Sequence, residues 1–468
     1  MDLIKKNWQT IIFLGLWCGI TFFNLFNHTP WYDEAHAWNI AQGLNFIEIL
    51  DFMHIEGHTF LWYLCLMPFA KLNIGYPYSM LLINWLFCFT AILILWFKAP
   101  FPNWLKFLIA FSFPFLQYYP IVARCYSIGI MFLFLVAMYE KVKLKRPNLY
   151  AFLLVMLANT SVVALFGATI LGALFLFELI KNKIKNSSPY LILFIGSVLI
   201  LYQQGNNLKY ADVSGFDVPA NALSMILEGL KVLYKTNFIL VLIIVFIIIL
   251  SVFYLKNKVF PTLLVFTTLC MVLMFIFIYK GFFWHKFFIY FYFITSLWIL
   301  FNKFNNLKLK FIPITLLTIV SIMFIFWRPS SFMYNKVYLN NSGAIANFIL
   351  KHSSLKTANL VAAGYYANTV GPYLRKENVD IKILCSGFSY NSYPQNWYFC
   401  GMTTPLYIYL DKFYNENTYS NTYFLLYKET LPNLSSIRIY SQDKKNYYDL
   451  VVYANLGDVL IYKFRNAK

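Results

Sequence analysis

Long apolar runs separated by short basic clusters restrict this chain to a lipid environment. Runs such as 8–27, 77–97, 164–180 and 237–255 approach the roughly 20 residues that a helix needs to cross about 30 Å of hydrocarbon. Inside lipid the backbone must satisfy its own N–H and C=O groups, so such runs are expected to be helical. The chain is 60% hydrophobic, 21% aromatic and 12% charged over 468 residues, too little polar sequence to cover that apolar surface in water. The pattern predicts a polytopic α-helical membrane protein.

The basic clusters order the spans. A formal charge of +19 would point to nucleic acid in a soluble chain. Here the cations fall between apolar runs: Lys98 and Lys106; Lys141, Lys143, Lys145 and Arg146; Lys181, Lys183 and Lys185; Lys256 and Lys258; Lys303, Lys308 and Lys310. The positive-inside rule places all of them in the cytoplasm, and no nucleic-acid partner is expected. Spans then lie near 77–97, 104–120, 126–139, 149–163, 164–180, 189–203, 237–255, 260–280, 286–302 and 311–327. Residues 8–27 follow Lys5-Lys6, and Asn27-His28-Thr29-Pro30 offers no small-x-small cleavage site, so this run is read as a retained first helix with a cytoplasmic N-terminus. About eleven transmembrane helices result, leaving the C-terminus outside. Scarce Arg with abundant Asn, Lys, Ile and Phe suggests an AT-rich bacterial genome, hence a multi-pass protein of the bacterial inner (plasma) membrane. One run, His58 to Leu72, would invert every later cluster if it crossed. It is short and contains Pro68, so a juxtamembrane or re-entrant segment on the outer face is expected.

The first outer loop then covers about 28–76. Within it WYDEAHAW, Trp31 to Trp38, sets Asp33 and Glu34 where the first span emerges, and carboxylates so close to lipid are costly unless they face water or a ligand. An amphipathic helix is expected here, with Ala37, Ile40, Ala41, Leu44 and Ile47 on one face and Gln42, Asn45 and Glu48 largely opposite, although Gly43 weakens it. The topology puts all six histidines, His28, His36, His54, His58, His285 and His352, on the outer side. Four of them share the loop with Asp33, Glu34, Glu48, Asp51 and Glu56. Taken singly, such groups are ordinary interfacial or solvated residues; gathered beside apolar sequence they point to a site.

Two metal arrangements are open. His54-x3-His58 would bring two imidazoles to one helical face, but it lacks the HExxH order and Gly57 disfavours a helix. A divalent ion, Mg or Mn, held by Asp33 together with a substrate phosphate matches hard-cation chemistry better. In PFLQYYPIVARCYS, residues 114–127, Arg124 marks an outer boundary in a chain that prefers Lys, and a guanidinium suits bidentate phosphate binding. A snorkelling interfacial Arg is the plain alternative. His285 and Lys286 in GFFWHKFF open a span on the same side, as a phosphate clamp or an interfacial anchor. Trp31, Tyr32, Trp38, Trp62 and Tyr63 suit stacking on sugars and equally an aromatic belt.

A DE pair after the first span, the segment GHTFLWY from Gly57 to Tyr63 and the Arg of ARCYS together resemble the GT-C superfamily of membrane glycosyltransferases. More narrowly, they are similar to the protein O-mannosyltransferase and lipid A aminoarabinose transferase branch. The resemblance is specific over roughly residues 8–140. It implies a transmembrane catalytic domain, here residues 1–330, that takes a sugar from a polyprenyl phosphate at the extracytoplasmic face and passes it to a glycan, lipid or protein acceptor. It implies that Asp33 is the acidic residue acting as base or metal ligand, Glu34 its motif neighbour, His58 the loop histidine and Arg124 the outer-loop arginine. Tyr126, His285 and Lys286 join them as candidate substrate-binding residues. The chain departs from the family in having GHT for HPP and in lacking the carboxylate that follows the Arg in some branches.

The chemistry fits the residues. A polyprenyl phosphate is a stabilised leaving group, so less acid assistance is needed than in a glycosidase. Asp33 would accept the acceptor's proton as it attacks the anomeric carbon, while Arg124, Lys286 or a metal stabilises the charge growing on the phosphate. Such a displacement inverts that carbon. A flippase for lipid-linked saccharides would need ionisable residues within the spans and repeated halves, neither of which is evident. A glycan polymerase shares the chemistry but need not carry the DE pair.

From residue 331 the composition turns to Asn, Tyr, Ser and Lys. A helix near 342–352 and strands in NLVAAGY (359–365), VDIKIL, NTYFLLY, DLVVYA and DVLIYKF predict a small extracytoplasmic α/β domain over 331–468. Of the seven cysteines, Cys18, Cys65, Cys88, Cys125 and Cys270 lie in or beside apolar sequence; Cys385 and Cys400 share the outer domain and could pair in an oxidising periplasm.

Overall fold

The computed structural model describes residues 2–204 apart from 55 and 57, 283–303, 311–327, 342–383 apart from 363, 421–427, 436–440, 447–456 and 459–464, with isolated positions between 243 and 273. The predicted spans 237–255 and 260–280 lie largely outside the described residues, as do Cys385 and Cys400. The chain divides into two compact units, the first of residues 1–27, 46–65 and 81–330 and the second of 28–45, 66–80 and 331–468.

The helices, numbered over the described residues, run α1 (Asp2–Phe26), α2 (Tyr32–Gly43), α3 (Phe46–Phe52), α4 (Leu61–Lys71), α5 (Tyr78–Lys98), α6 (Asn103–Ala110), α7 (Tyr126–Tyr139), α8 (Pro147–Ala158), α9 (Val162–Lys181), α10 (Ser188–Gln204), α11 (Phe283–Lys286), α12 (Phe288–Lys303) and α13 (Phe311–Phe326). Four stretches among the described residues are long and apolar enough to cross a membrane: Trp8–Phe26, Tyr78–Lys98, Val162–Lys181 and Trp284–Asn302. Three shorter apolar helices, α8, α10 and α13, accompany them. These mark a helical membrane protein.

The predicted run 104–120 is not one helix. α6 stops at Ala110, and the backbone resumes as one π-type turn, Pro114–Tyr118. Pro114, with no N–H to donate, is tolerated at the first position of that turn. The boundary expected between residues 163 and 164 falls earlier, where Ser161 caps α9 by accepting the Ala164 N–H at 3.2 Å. The run at 58–72 forms α4, an 11-residue helix containing Pro68.

Packing in the first unit is tight and partly polar. α1 meets α5 through the stacked Phe13–Trp96 pair, 3.9 Å between centroids, and through Trp85 Nε1 donating to Thr21 Oγ1 at 2.9 Å. Residues 287–301 of α12 and its approach are buried throughout, as expected of a helix that is apolar on nearly every side. A Cβ on Gly167 would lie 2.3 Å from Tyr292, whose hydroxyl takes the Gly167 N–H at 3.0 Å and donates to the Val163 carbonyl. Lys143, one cation of a short basic loop, is buried, with its Nζ 3.1 Å from Glu140 and 2.9 Å from Glu178. Burial of such a cation requires these partners.

In the second unit α14 (Ser342–Lys351) and α15 (Ser353–Lys356) precede β1 (Asn359–Ala362), α16 (Gly364–Leu374), β2 (Ile381–Ile383), β3 (Thr422–Tyr427), β4 (Ser436–Tyr440), β5 (Tyr447–Asn455) and β6 (Val459–Phe464). They build one mixed sheet in the order β2-β1-β3-β6-β5-β4. β1 runs parallel to β2 and β3, with Leu360 opposite both Ile381 and Tyr423, and α16 supplies the crossover that parallel pairing demands. The remaining pairs are antiparallel. The expected helix and five expected strands are present; β4, SIRIY, was not expected.

The segment around the DE pair also belongs to this unit. α2 packs against α16, where Asn39 Nδ2 donates to Asn368 Oδ1 at 3.0 Å. Trp38 meets Tyr76 at 5.2 Å and Tyr76 meets Tyr373 at 5.0 Å. α2 is not the two-faced helix expected. Every residue from Glu34 to Gln42 is buried, Gln42 bonds Asn73 at 3.3 Å, and the helix ends at Gly43, so Ile47 belongs to α3.

Candidate functional site

The candidate site of the first unit begins in the segment between α3, which ends at Phe52, and α4, which starts at Leu61. The end of α10 holds this loop. Gln203 accepts the Phe60 N–H at 2.9 Å through Oε1 and donates to Asn159 Oδ1 at 3.1 Å, while Gln204 Nε2 donates to the His58 carbonyl at 3.2 Å. His54 Nδ1 donates to the Gln203 carbonyl at 3.0 Å. His54 and His58 therefore engage different partners, and the arrangement with both imidazoles on one helical face, disfavoured in the sequence by Gly57, does not form.

His58 meets Arg124 instead, Nε2 lying 3.0 Å from the guanidinium Nη2. The Tyr126 hydroxyl is 3.5 Å from the same nitrogen, and the Tyr126 ring stands edge-on to His58 on one side and to His285 on the other, each at 5.6 Å between centroids. Arg124 and Tyr126 sit where the chain leaves the π-type turn and enters α7. Tyr119 anchors that entry: its carbonyl accepts Asn84 Nδ2 at 2.7 Å and Ser127 Oγ at 2.8 Å, and its hydroxyl donates to the Trp284 carbonyl at 2.5 Å. His285 and Lys286 are both buried. Four of the sequence-predicted residues, His58, Arg124, Tyr126 and His285, thus form one contiguous group, with Lys286 adjacent in the chain.

Burial and the neighbouring Arg124 lower the His58 pKa to about 3, with Glu56 opposing them, so the ring is neutral at ordinary pH. Tyr63 donates to Glu56 Oε2 at 3.0 Å, and burial, reinforced by Glu56, holds its phenol well above the usual tyrosine range. Tyr63 is a donor at any physiological pH.

The second unit carries the DE pair at the N-terminus of α2, where the helix dipole favours negative charge. Glu34, fully buried, accepts the Trp31 N–H at 3.0 Å in half of a capping box. The same carboxylate takes His28 Nε2 at 2.8 and 3.1 Å. Asp33 is partly solvent-exposed. The two acids therefore differ: Glu34 is committed to its own helix start, and Asp33 is the one that reaches solvent.

Glu56, Gln203 and Gln204 were the residues hardest to find in advance. Glu56 was one acid among five in its loop, whereas the two glutamines end an otherwise apolar run, a polar signal at the edge of a span. Among the described residues no three His, Cys, Asp or Glu side chains come together as metal ligands. No family model matches this chain, and no curated protein is a significant match to it.

Proposed function

We propose that this protein is an inverting glycosyltransferase that moves a sugar from a polyprenyl phosphate to an acceptor at the extracytoplasmic face of a bacterial plasma membrane. The observation that carries the reading is the contact of Arg124 with His58, flanked by Tyr126 and His285. His58 and Arg124, 66 positions apart, meet in one partly buried group. A guanidinium in such surroundings suits a lipid phosphate as ligand and leaving group. In this reading Asp33 takes the acceptor's proton as the acceptor oxygen or nitrogen attacks the anomeric carbon, and the sugar–phosphate bond breaks with its electrons passing to the phosphate. Arg124, with Lys286, compensates that charge. Glu34 positions Asp33 by fixing the start of α2.

The reading includes about eleven spans, a cytoplasmic N-terminus and a C-terminal domain on the outer face. In this reading Asp33 would hold a divalent Mg or Mn ion together with oxygens of the substrate phosphate, and such an ion would add positive charge there.

The test is release of free polyprenyl phosphate from a panel of polyprenyl phosphate sugars, with wild type compared with Asp33→Asn. Wild-type release that falls by about 100- to 10,000-fold in the folded variant supports a general base at Asp33. No release with any donor, together with movement of lipid-linked sugar across vesicles, sinks the reading in favour of a flippase.

A further inference from the structure

Arg124 decides where the proton on His58 sits. A guanidinium has donors and no acceptor, so His58 Nε2, 3.0 Å from it, must present a lone pair. The Tyr126 hydroxyl approaches the same nitrogen at 3.5 Å. A neutral ring that accepts at Nε2 carries its proton on Nδ1. That Nδ1 is buried and has no hydrogen-bond partner among the described residues. The loop is held from behind by Gln204 on the His58 carbonyl and by Gln203 on the Phe60 N–H. A buried donor kept in place without a partner is costly, and a ligand acceptor removes that cost.

We propose that His58 is a neutral histidine of fixed tautomer whose Nδ1–H donates to a phosphate oxygen of the polyprenyl phosphate, while Arg124 supplies the positive charge. This rests on the transferase reading above and assigns His58 a role within it. The neighbours bear on the ligand: Glu56, which accepts from the Tyr63 hydroxyl, opposes Arg124, but a buried N–H donor still calls for an acceptor, and the guanidinium makes an anionic one the better match. It also excludes acid–base work at Nε2, because a proton there would face the Arg124 N–H.

Asparagine and glutamine separate the two nitrogens. His58→Asn keeps a donor near the Nδ1 position and removes the Nε2 acceptor that faces Arg124. His58→Gln reaches the Nε2 position with a carbonyl for Arg124 and leaves no donor at Nδ1. Binding of polyprenyl phosphate to the full-length protein in detergent should weaken in both variants, and by about tenfold more in His58→Gln. Equal or tighter binding by His58→Gln than by His58→Asn overturns the proposal.

Nitrogen-15 spectra of histidine-labelled wild type give a second test that requires neither variant to fold. His54 and His352, whose Nδ1 atoms donate to the Gln203 and Phe348 carbonyls, share the Nδ1–H form. His58 should be a further histidine of that form, and its Nδ1 signal should move with polyprenyl phosphate but not with the uncharged polyprenol. Binding of polyprenyl phosphate with no response from any Nδ1-protonated histidine overturns the proposal. Movement with inorganic phosphate but not with the lipid overturns the assignment to a lipid headgroup. Failure of wild type to bind polyprenyl phosphate removes the transferase reading itself, whereas wild-type binding with the reverse variant order removes only the role of His58.

Discussion

Asn39 and Asn368, 329 positions apart in the chain, hydrogen-bond side chain to side chain at 3.0 Å, and the same Asn39 amide lies 3.3 Å from the Asn368 carbonyl. Both are buried, at 2% and 0% exposure. The helix that follows the first apolar run is thereby tied to the crossover helix of the C-terminal sheet. Removing one partner strands the other in a dry interface, at a cost of about 1–3 kcal/mol. Asn39→Leu and Asn368→Leu should each lower the unfolding midpoint of the full-length protein in detergent. The double variant should lose less than the two single losses combined, since no stranded amide remains. Strict additivity in that cycle would show that the pair does not act as a unit.

The two acids of the DE pair should separate by phenotype. Glu34→Ala removes the acceptor for the Trp31 N–H and for His28 in a fully buried place, so it should destabilise by about 1–3 kcal/mol. Asp33→Asn alters a partly exposed side chain and should change stability by about 0.5 kcal/mol or less. Thermal melts check both effects, and the release assay checks the loss of activity expected of Asp33→Asn. Equal destabilisation by both substitutions would contradict the assignment of the structural role to Glu34.

Much of this was legible in the sequence because it follows from hydrophobic pattern. The apolar runs that became α1, α5 and α9 read clearly, as did the strands at 359–362 and 422–427. Arg124 and His58 stood out as costly groups beside apolar sequence, and the structure brings them together. What pattern does not carry is partner choice. α2 looked amphipathic, but α16, more than three hundred residues later, helps bury its polar side, so Gln42 and Asn39 face protein and not water. Lys143 reads in the sequence only as one charge of a basic cluster, and its ion pairs with Glu140 and Glu178 depend on how the helices pack. β4 escaped notice because a five-residue strand with Arg438 at its centre has little apolar signal; its partner Asp449 on β5 lies 2.7 Å from Arg438 Nε.

Close helix packing gives a third prediction. A Cβ on Gly196 of α10 would sit 2.4 Å from Val155 Cγ2 of α8, inside any tolerated contact. Gly196→Ala should therefore cost about 1–3 kcal/mol through overpacking, against the small gain that alanine brings to a helix. Val155→Ala in the same chain should recover most of the loss by removing the methyl groups that collide. Melting of the single and double variants in detergent checks this, and a Gly196→Ala protein as stable as wild type would show that α8 and α10 are not so close.

His58 makes stability depend on pH in a definite direction. Burial and Arg124 lower its pKa in the fold to about 3 from an ordinary 6.5, despite the opposing pull of Glu56. Between those values the unfolded chain binds a proton that the native chain does not, so protons favour unfolding. The contribution is complete above pH 6.5 and is lost progressively as the pH falls toward 3. Within that window one proton corresponds to a slope of about 1.4 kcal/mol per pH unit. His58→Asn does not titrate, so its stability should fall less steeply than that of wild type between about pH 6 and pH 4. Other carboxylates contribute to both slopes, but their share cancels in the difference. Parallel curves for the two proteins would mean that His58 is protonated as readily in the fold as in water, and that the Arg124 contact does not hold the ring neutral.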